Sequence, residues 1–498
     1  MIMNVRRRSF LQNLPLAPAA LRGVAARRPN ILFCISDDQS YPHASAYGTS
    51  FLRTPGFDRV AQEGVLFHNC FAASPSCCPS RGSVLSGQDF YRLRAASMNH
   101  TEWPGGIPLY PDLLAAAGYQ VGFTGKGWGP GDWKNSGRKF NPAGAEYNQL
   151  KLNPPGRYIS PNDYAGNFEA FLEARPKDAP FCFWAGFIEP HREFEEGIGE
   201  KHGVRPDSVV VPAFLPDSEQ VRRDIADYAF EIQWFDRHLE RMLRTLERRG
   251  ELENTIVAVT SDNGMAFPRA KANLYDYGCR MPLAVRWGER LKAGRVVEGL
   301  VSLIDLAPTF LEAAGVRIPE SMTGRSLLPV LDGASTGRRE VVFGIERHFP
   351  GSRPRGAGYP CRAIRTREYL YIRNLNPEAN PCGDHPGPVW PENDPVGGYG
   401  DTDGGPSKTY LWRNREKYPE LFRLAFGKRP AEELYAVRQD PFNMRNLAGS
   451  PQYQAVRKDL AARLGAYLKR TQDPRYSGRG WELDAVMLRF PALAPGAR

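Results

Sequence analysis

Two apolar runs of strand length break off at the same kind of residue. Residues 31–35 lead into Ser36-Asp37-Asp38, and residues 255–260 lead into Ser261-Asp262-Asn263-Gly264. Short uninterrupted apolar runs suit strands buried on both faces, the usual state in parallel sheets covered by helices. In such sheets ligands gather beyond the carboxyl ends of the strands, where both acidic pairs fall. Adjacent carboxylates at a buried strand end repel each other unless a cation neutralises them. Singly, each pair also reads as ordinary turn or helix-cap residues. Jointly, three carboxylates and one amide oxygen, with no histidine or cysteine, form a hard oxygen set suited to Ca²⁺ or Mg²⁺.

The spacing of the remaining segments extends this pattern. A helix closes at 115–118 before a strand at 120–124, and a helix at 163–174 precedes a buried strand at 181–187. A long amphipathic helix covers 218–249 and ends at Gly250, as helices commonly end at glycine. Alternation of this kind predicts an α/β fold with a largely parallel sheet flanked by helices. After about Arg347 the composition changes. Residues 351–359 and 376–406 are rich in Gly and Pro and read as long loops. Strand-like pieces at 361–374 and 433–437, then a helix at 452–469, read as a smaller α+β unit. The expected division is residues 27–347 for the large unit and 348–498 for the C-terminal subdomain. No internal repeat is evident.

The first 26 residues read differently from the rest. Arg6-Arg7-Arg8-Ser9-Phe10-Leu11 followed by a weakly apolar stretch resembles a twin-arginine export signal, with Val24-Ala25-Ala26 offering a cleavage site. A disordered basic tail is the alternative. Cleavage after Ala26 would remove Arg6, Arg7, Arg8 and Arg22 and no acidic residue, lowering the formal charge from +10 to +6. A basic chain suits an anionic partner. Outside the signal no helix-turn-helix, zinc finger or basic tract appears, so nucleic acid is not expected. No run reaches the roughly 18 apolar residues that would suggest a membrane span. Eight cysteines in so long a chain do not make a disulfide scaffold. Cys34, Cys70 and Cys182 read as buried thiols, and whether Cys361 and Cys382 pair is open.

One motif stands apart: Cys77-Cys78-Pro79-Ser80-Arg81-Gly82-Ser83-Val84-Leu85-Ser86-Gly87. Cys-x-Pro-Ser-Arg followed by Leu-x-Gly resembles the signature of type I sulfatases. In that family a maturation enzyme oxidises the first cysteine, here Cys77, to formylglycine, whose hydrate is the nucleophile. The residue types suit the task. Pro79 pre-sets a helix start, whose N-terminus favours negative charge, and the planar fork of Arg81 suits an oxyanion. Arg28-Pro29-Asn30-Ile31 through Asp38 resembles the family's first metal-binding strand, and Thr260 through Gly264 its second. Lys271 to Asp276 resembles the stretch bearing a sulfate-binding lysine, and Glu433-Leu434-Tyr435 the C-terminal signature.

The resemblance implies an alkaline-phosphatase-like fold and a Ca²⁺ site at Asp37, Asp38, Asp262 and Asn263. It places Arg81, Lys126 and Lys271 around the sulfate and makes His191 the general acid. Glu189-Pro190-His191-Arg192 and Asp262 through Pro268 are closest to the branch that removes the N-sulfate of glucosamine in heparin or heparan sulfate. One departure is clear: the family's Gly-Lys-x-His segment is here Gly125-Lys126-Gly127-Trp128. Trp128 offers one N–H and cannot shuttle protons, though an indole could stack on a sugar face. Arg347, His348 and the 351–359 loop are candidate substrate residues on the ground that loops carry specificity. An O-sulfatase acting on glucosamine 6-sulfate or a uronate 2-sulfate is the main alternative. A phosphonate or phosphodiester hydrolase and a non-catalytic glycan-binding relative rank below it. The expected partners are a sulfated glycan and the maturation enzyme. Oligomeric state, a homodimer included, is open.

Overall fold

The computed structural model describes residues 28–389 and 391–492. The predicted export signal, residues 1–26, lies outside the described residues.

Eight strands form the larger sheet: β1 Asn30–Ser36, β2 Val65–Phe71, β3 Gln120–Gly125, β4 Ala145–Glu146, β5 Phe181–Gly186, β6 Thr255–Ser261, β7 Arg280–Arg286 and β8 Arg295–Ser302. Their order across the sheet is β4-β3-β5-β1-β6-β7-β2-β8, so β1 is central. β1 runs parallel to β5 and β6, β3 runs parallel to β4 and β5, and β2 runs parallel to β8. β7 is antiparallel to both of its neighbours. Side chains alternate across a strand, and β1 uses both faces. Ile31, Phe33 and Ile35 pack in one core with Val84, Leu85, Leu114 and Phe310. Leu32 and Cys34 pack in a second core with Phe57, Phe168, Phe171, Leu239 and Leu243. The continuous apolar run follows from helices covering both sides.

The predicted elements are found within a few residues. The helix of 163–174 is Tyr164–Ala174, with the Asp163 carboxylate capping Gly166 N. The long helix is Glu219–Arg248, with Ser218 accepting from Val221 N. The smaller sheet is antiparallel, β12-β11-β10-β9, where β9 is Val341–Ile345, β10 Cys361–Arg365, β11 Tyr369–Asn374 and β12 Glu432–Ala436. It therefore takes its edge strand from residues ahead of the 347/348 division. One face, with Phe343, Ala363 and Ile372, packs on Phe71, Tyr275 and Leu300 of the larger unit. The other, with Ile364, Tyr371 and Leu434, is covered by Leu460, Leu464 and Leu468 of the helix Gln454–Arg470. Each of those leucines contributes roughly 2 kcal/mol by leaving water.

All eight cysteines are free and buried. Cys361 and Cys382 do not pair: Cys361 Sγ donates to Asn374 Oδ1 at 3.1 Å and Cys382 Sγ to the Ala425 carbonyl at 3.1 Å. They belong to different cores, one behind the small sheet and one around Leu411 and Phe426.

Candidate active site

Strand register builds the site. In the parallel ladders Ile35 lies beside Gly186, Ser36 beside Ser261, and Gly125 beside Gly186. The residues that follow these positions, Asp37 and Asp38 after β1, Lys126 after β3, Phe187 to His191 after β5, and Asp262 and Asn263 after β6, leave the sheet at one edge. Backbone bonds lock the exits together: Lys126 N to Gly186 O at 2.7 Å, Asp37 N to Glu189 O at 3.2 Å and Asp262 N to Ser36 O at 3.2 Å. The chain leaves β2 at the same edge and enters the helix Cys77–Ser86, whose first residue is Cys77.

At this edge the charges pair closely. Arg81 Nε donates to Asp262 Oδ2 at 2.7 Å, and Arg81 Nη2 lies 3.5 Å from Asp37 Oδ1. Lys126 Nζ meets Asp37 Oδ2 at 2.5 Å, and Lys271 Nζ meets Asp38 Oδ2 at 2.7 Å. The Cys77 thiol donates to Asp37 Oδ1 at 3.4 Å and accepts from Asn263 Nδ2 at 3.8 Å. Burial, reinforced by Asp37, pushes this thiol well above its ordinary pKa, so the unmodified side chain holds its proton. Burial works against the charge of Asp37 too, but Lys126 and Arg81 outweigh it and hold the carboxyl well below the usual range.

The remaining carboxylates are out of balance. Burial and then Asp37 push Asp262 up to about 7, against Arg81. Burial, with Asp37 and Asp403 adding and Lys271 opposing, pushes Asp38 up to about 7. Carboxylate oxygens of Asp37, Asp38 and Asp262 lie within 4.8 Å of one another. Asp38 Oδ1 and Asn263 Oδ1 are buried without any hydrogen-bond donor. Converging oxygens with unspent lone pairs and surplus negative charge are what a divalent cation neutralises. The four residues fit a hard metal ion.

His191 adjoins this group. Its Nδ1 faces the Arg192 carbonyl at 2.6 Å, which places the proton there and leaves Nε2 as an acceptor 3.3 Å from Lys271 Nζ. Burial, then Lys271, pushes its pKa down to about 4. Lys271 is also bound to Asp403 Oδ2 at 2.9 Å. Burial opposes the charge on Asp403, but Lys271 and His348 prevail and keep it ionised. Asp37, Cys77, Lys126, His191, Lys271, His348 and Asp403 line one cavity of about 430 Å³.

The structure brings together Asp37, Asp38, Cys77, Arg81, Lys126, His191, Asp262, Asn263, Lys271 and His348, with Arg81 fully buried behind the cavity lining. Two expectations need correction. Arg347 is turned away from the cavity, its guanidinium donating to the carbonyls of Gly356 and Phe490 at 3.2 and 2.6 Å. It pins the helix Trp481–Arg489 rather than a substrate. Trp128 lines the cavity, but its Nε1–H is spent on the Cys78 carbonyl at 3.1 Å, and its ring packs edge-on against Trp103 at 5.2 Å. It is 2% exposed, too covered to stack on a sugar. His348 is held through Nδ1 by Ser76 Oγ at 2.9 Å. Asp403, Asn99 and His100 also line the cavity and carried no signal in the sequence: each lies in an irregular segment and belongs to no recognised motif.

Comparison with known proteins bears on the family and the fold. A sequence model of the Sulfatase family matches residues 29–316. Another, described as N-sulphoglucosamine sulphohydrolase, C-terminal, matches residues 269–379. The chain is 29% identical to N-sulphoglucosamine sulphohydrolase of Homo sapiens over 503 residues, covering 91% of this chain and 92% of that protein. It is 28% identical to an ulvan-active sulfatase of Formosa agariphila over 479 residues, covering 94% of this chain and 84% of the relative. A solved structure in complex with its substrate D-glucosamine-2-N,6-O-disulfate matches with a TM-score of 0.61 at 22% identity, over 90% of this chain and 98% of that one. The shared fold is the alkaline-phosphatase-like one, with the mixed sheet and the smaller antiparallel sheet in the same chain.

Proposed function

The chain belongs to the sulfatase family, and on that premise we propose that it hydrolyses the N-sulfate of glucosamine in heparin or heparan sulfate. The observation that carries this reading is the match of residues 269–379 to the C-terminal part of N-sulphoglucosamine sulphohydrolase, since that stretch supplies Lys271 and His348 to the cavity. In this reading a maturation enzyme converts Cys77 to formylglycine, whose hydrate supplies both a nucleophilic oxygen and a later exit for sulfate. Ca²⁺ held by Asp37, Asp38, Asp262 and Asn263 supplies the positive charge that makes such an oxygen acidic.

The chain's own side chains do the rest. Lys126 and Lys271 offset charge on the sulfate oxygens as it builds, and Arg81 fixes Asp37 and Asp262 behind them. His191 protonates the leaving nitrogen. To do so it must carry a proton on Nε2, now turned to Lys271, and the negative charge of bound sulfate favours that state. Export by the twin-arginine route, to the periplasm or beyond, belongs to the same reading. Among the described residues no helix is long and apolar enough to cross a membrane.

The test uses protein co-expressed with a formylglycine-generating enzyme, Ca²⁺, and two separate sugars: glucosamine 2-N-sulfate and N-acetylglucosamine 6-sulfate. Mass spectrometry and NMR identify the product. The free amine should form from the first sugar, and Cys77→Ala should form none. Release from the 6-sulfate alone would overturn the N-sulfate reading and leave an O-sulfatase.

A further inference from the structure

The cavity is short of positive charge beyond the place of the scissile group. Among the described residues that line it, Lys126 and Lys271 are the only lysines or arginines. Both are committed, Lys126 to Asp37 at 2.5 Å and Lys271 to Asp38 at 2.7 Å and Asp403 at 2.9 Å. Arg81 is fully buried behind them, and Arg347 is tied to backbone carbonyls. The acidic residues are distributed otherwise. Glu146, exposed at the end of β4, lines the cavity, and Asp403 stands in its wall on the 376–405 segment. His100 adds no charge, since burial pushes its pKa down to about 3.

Asp403 is held rigidly. The Lys408 ammonium donates to the Thr402 carbonyl at 2.9 Å, and Asp401 accepts from Phe349 N at 2.8 Å and pairs with Arg353 at 2.8 Å. These ties fix the backbone around Asp403, and the Lys271 ammonium at 2.9 Å holds its carboxylate in the cavity wall. It also lies outside both stretches that match the family, 29–316 and 269–379.

From this distribution we propose that the cavity admits one anionic group per sugar, and that Asp403 is the residue that turns a second one away. A cavity of about 430 Å³ is roughly 9 Å across if compact, close to the Debye length of roughly 8 Å in physiological salt, so the substituents of a bound sugar lie within about that distance of Asp403. A second sulfate on the ring therefore adds to the negative charge of Asp403 and Glu146, which Lys271 offsets only in part, and finds no uncommitted lysine or arginine to pair with. A free hydroxyl in the same place donates a hydrogen bond to the carboxylate. The sugar taken is thus a singly sulfated, otherwise hydroxylated one. The inference rests on the glucosamine reading and adds an order of events: a sulfatase acting on the sugar's other sulfate must come first.

The experiment measures kcat/KM of the matured, calcium-loaded enzyme for glucosamine 2-N-sulfate and for glucosamine 2-N,6-O-disulfate. The first should exceed the second by at least about tenfold, as juxtaposed like charges require. Asp403→Asn should narrow that ratio by about tenfold whatever it does to absolute turnover, because the ratio cancels any shared loss from Lys271. Equal use of both sugars by the wild type, or an unchanged ratio in Asp403→Asn, would overturn the proposal. If neither sugar loses its N-sulfate but a 6-O-sulfate is released, the N-sulfate reading fails instead. The ratio is then read between N-acetylglucosamine 6-sulfate and the disulfate, where equal use or an unchanged ratio in the variant again overturns the proposal.

Discussion

Trp128 shows how neighbours reassign a side chain. Its position after Gly125-Lys126-Gly127 suggests an indole offered to the substrate, yet the N–H is used on the Cys78 carbonyl at 3.1 Å. It fixes the carbonyl of the residue after Cys77 and forms part of the cavity wall. Trp128→Phe should therefore cost about 1 kcal/mol of stability for the lost hydrogen bond and part of the ring, read as a lower midpoint in urea. It should change kcat/KM only a few-fold. A loss beyond about a hundredfold with normal stability would show that the N–H serves the reaction after all. The proposed nucleophile motif stood out in the sequence by its family resemblance, and the proposed metal residues by local chemistry, two carboxylates at one strand end. Asp403 did not. Its importance comes from Lys271, 132 residues away, and from a cavity that exists only once both units are folded.

The carboxyl ends of β3 and β5 abut so closely that no side chain fits between them. A Cβ on Gly186 would meet the Lys126 carbonyl at 1.8 Å, the same carbonyl that accepts from Arg81 Nη1 at 2.8 Å and Trp184 Nε1 at 3.0 Å. Gly186→Ala should push the Lys126 segment outward, costing about 2–4 kcal/mol and lowering kcat with it. Calorimetry and sulfate release together check this, and an unchanged Tm with unchanged turnover would refute it. β1 and β6 meet at the proposed metal residues, where surplus negative charge favours a bound cation. Adding Ca²⁺ at 100 times its Kd should stabilise the protein by about 3 kcal/mol. Asp38→Asn, by relieving repulsion and removing a donor, should cut that gain by more than half. An equal rise in Tm for both proteins would exclude Asp38 from the site. The buried parallel strands were readable as apolar runs, whereas β7 and β8 were not. Pro282 interrupts β7, where a central strand seldom carries proline, and β8 lies at the sheet edge with Val296 exposed.

The two-unit organisation was foreseeable from the change in composition, but the joint between the units was not, because β9 is a plain five-residue run that belongs by pairing to the later sheet. That joint carries His348 directly off β9 to Ser76, so the smaller unit closes the site of the larger. A molecule assembled this way buries titratable groups outside the cavity as well, and its acid stability is their sum. His43 is one such group, packed edge-on against Phe51, Tyr228 and Tyr277 with Nδ1 3.1 Å from the Tyr228 hydroxyl. Burial pushes its pKa down to about 4, against about 6.5 in the unfolded chain. Between those values the unfolded chain holds a proton that the folded one refuses, so stability falls as pH drops from 6.5 towards 4. Asp236 has the opposite sign. Burial raises it to about 8, so it favours folding more as pH drops through that range. The two windows overlap, and the overall curve cannot isolate either group. A variant can: His43→Gln keeps a neutral hydrogen-bonding side chain and removes only the titration. Its stability deficit relative to wild type at pH 7.5 should shrink by about 2–3 kcal/mol at pH 4.5, measured by urea unfolding at both values. A deficit that stays constant with pH would mean that His43 takes up its proton in the folded protein.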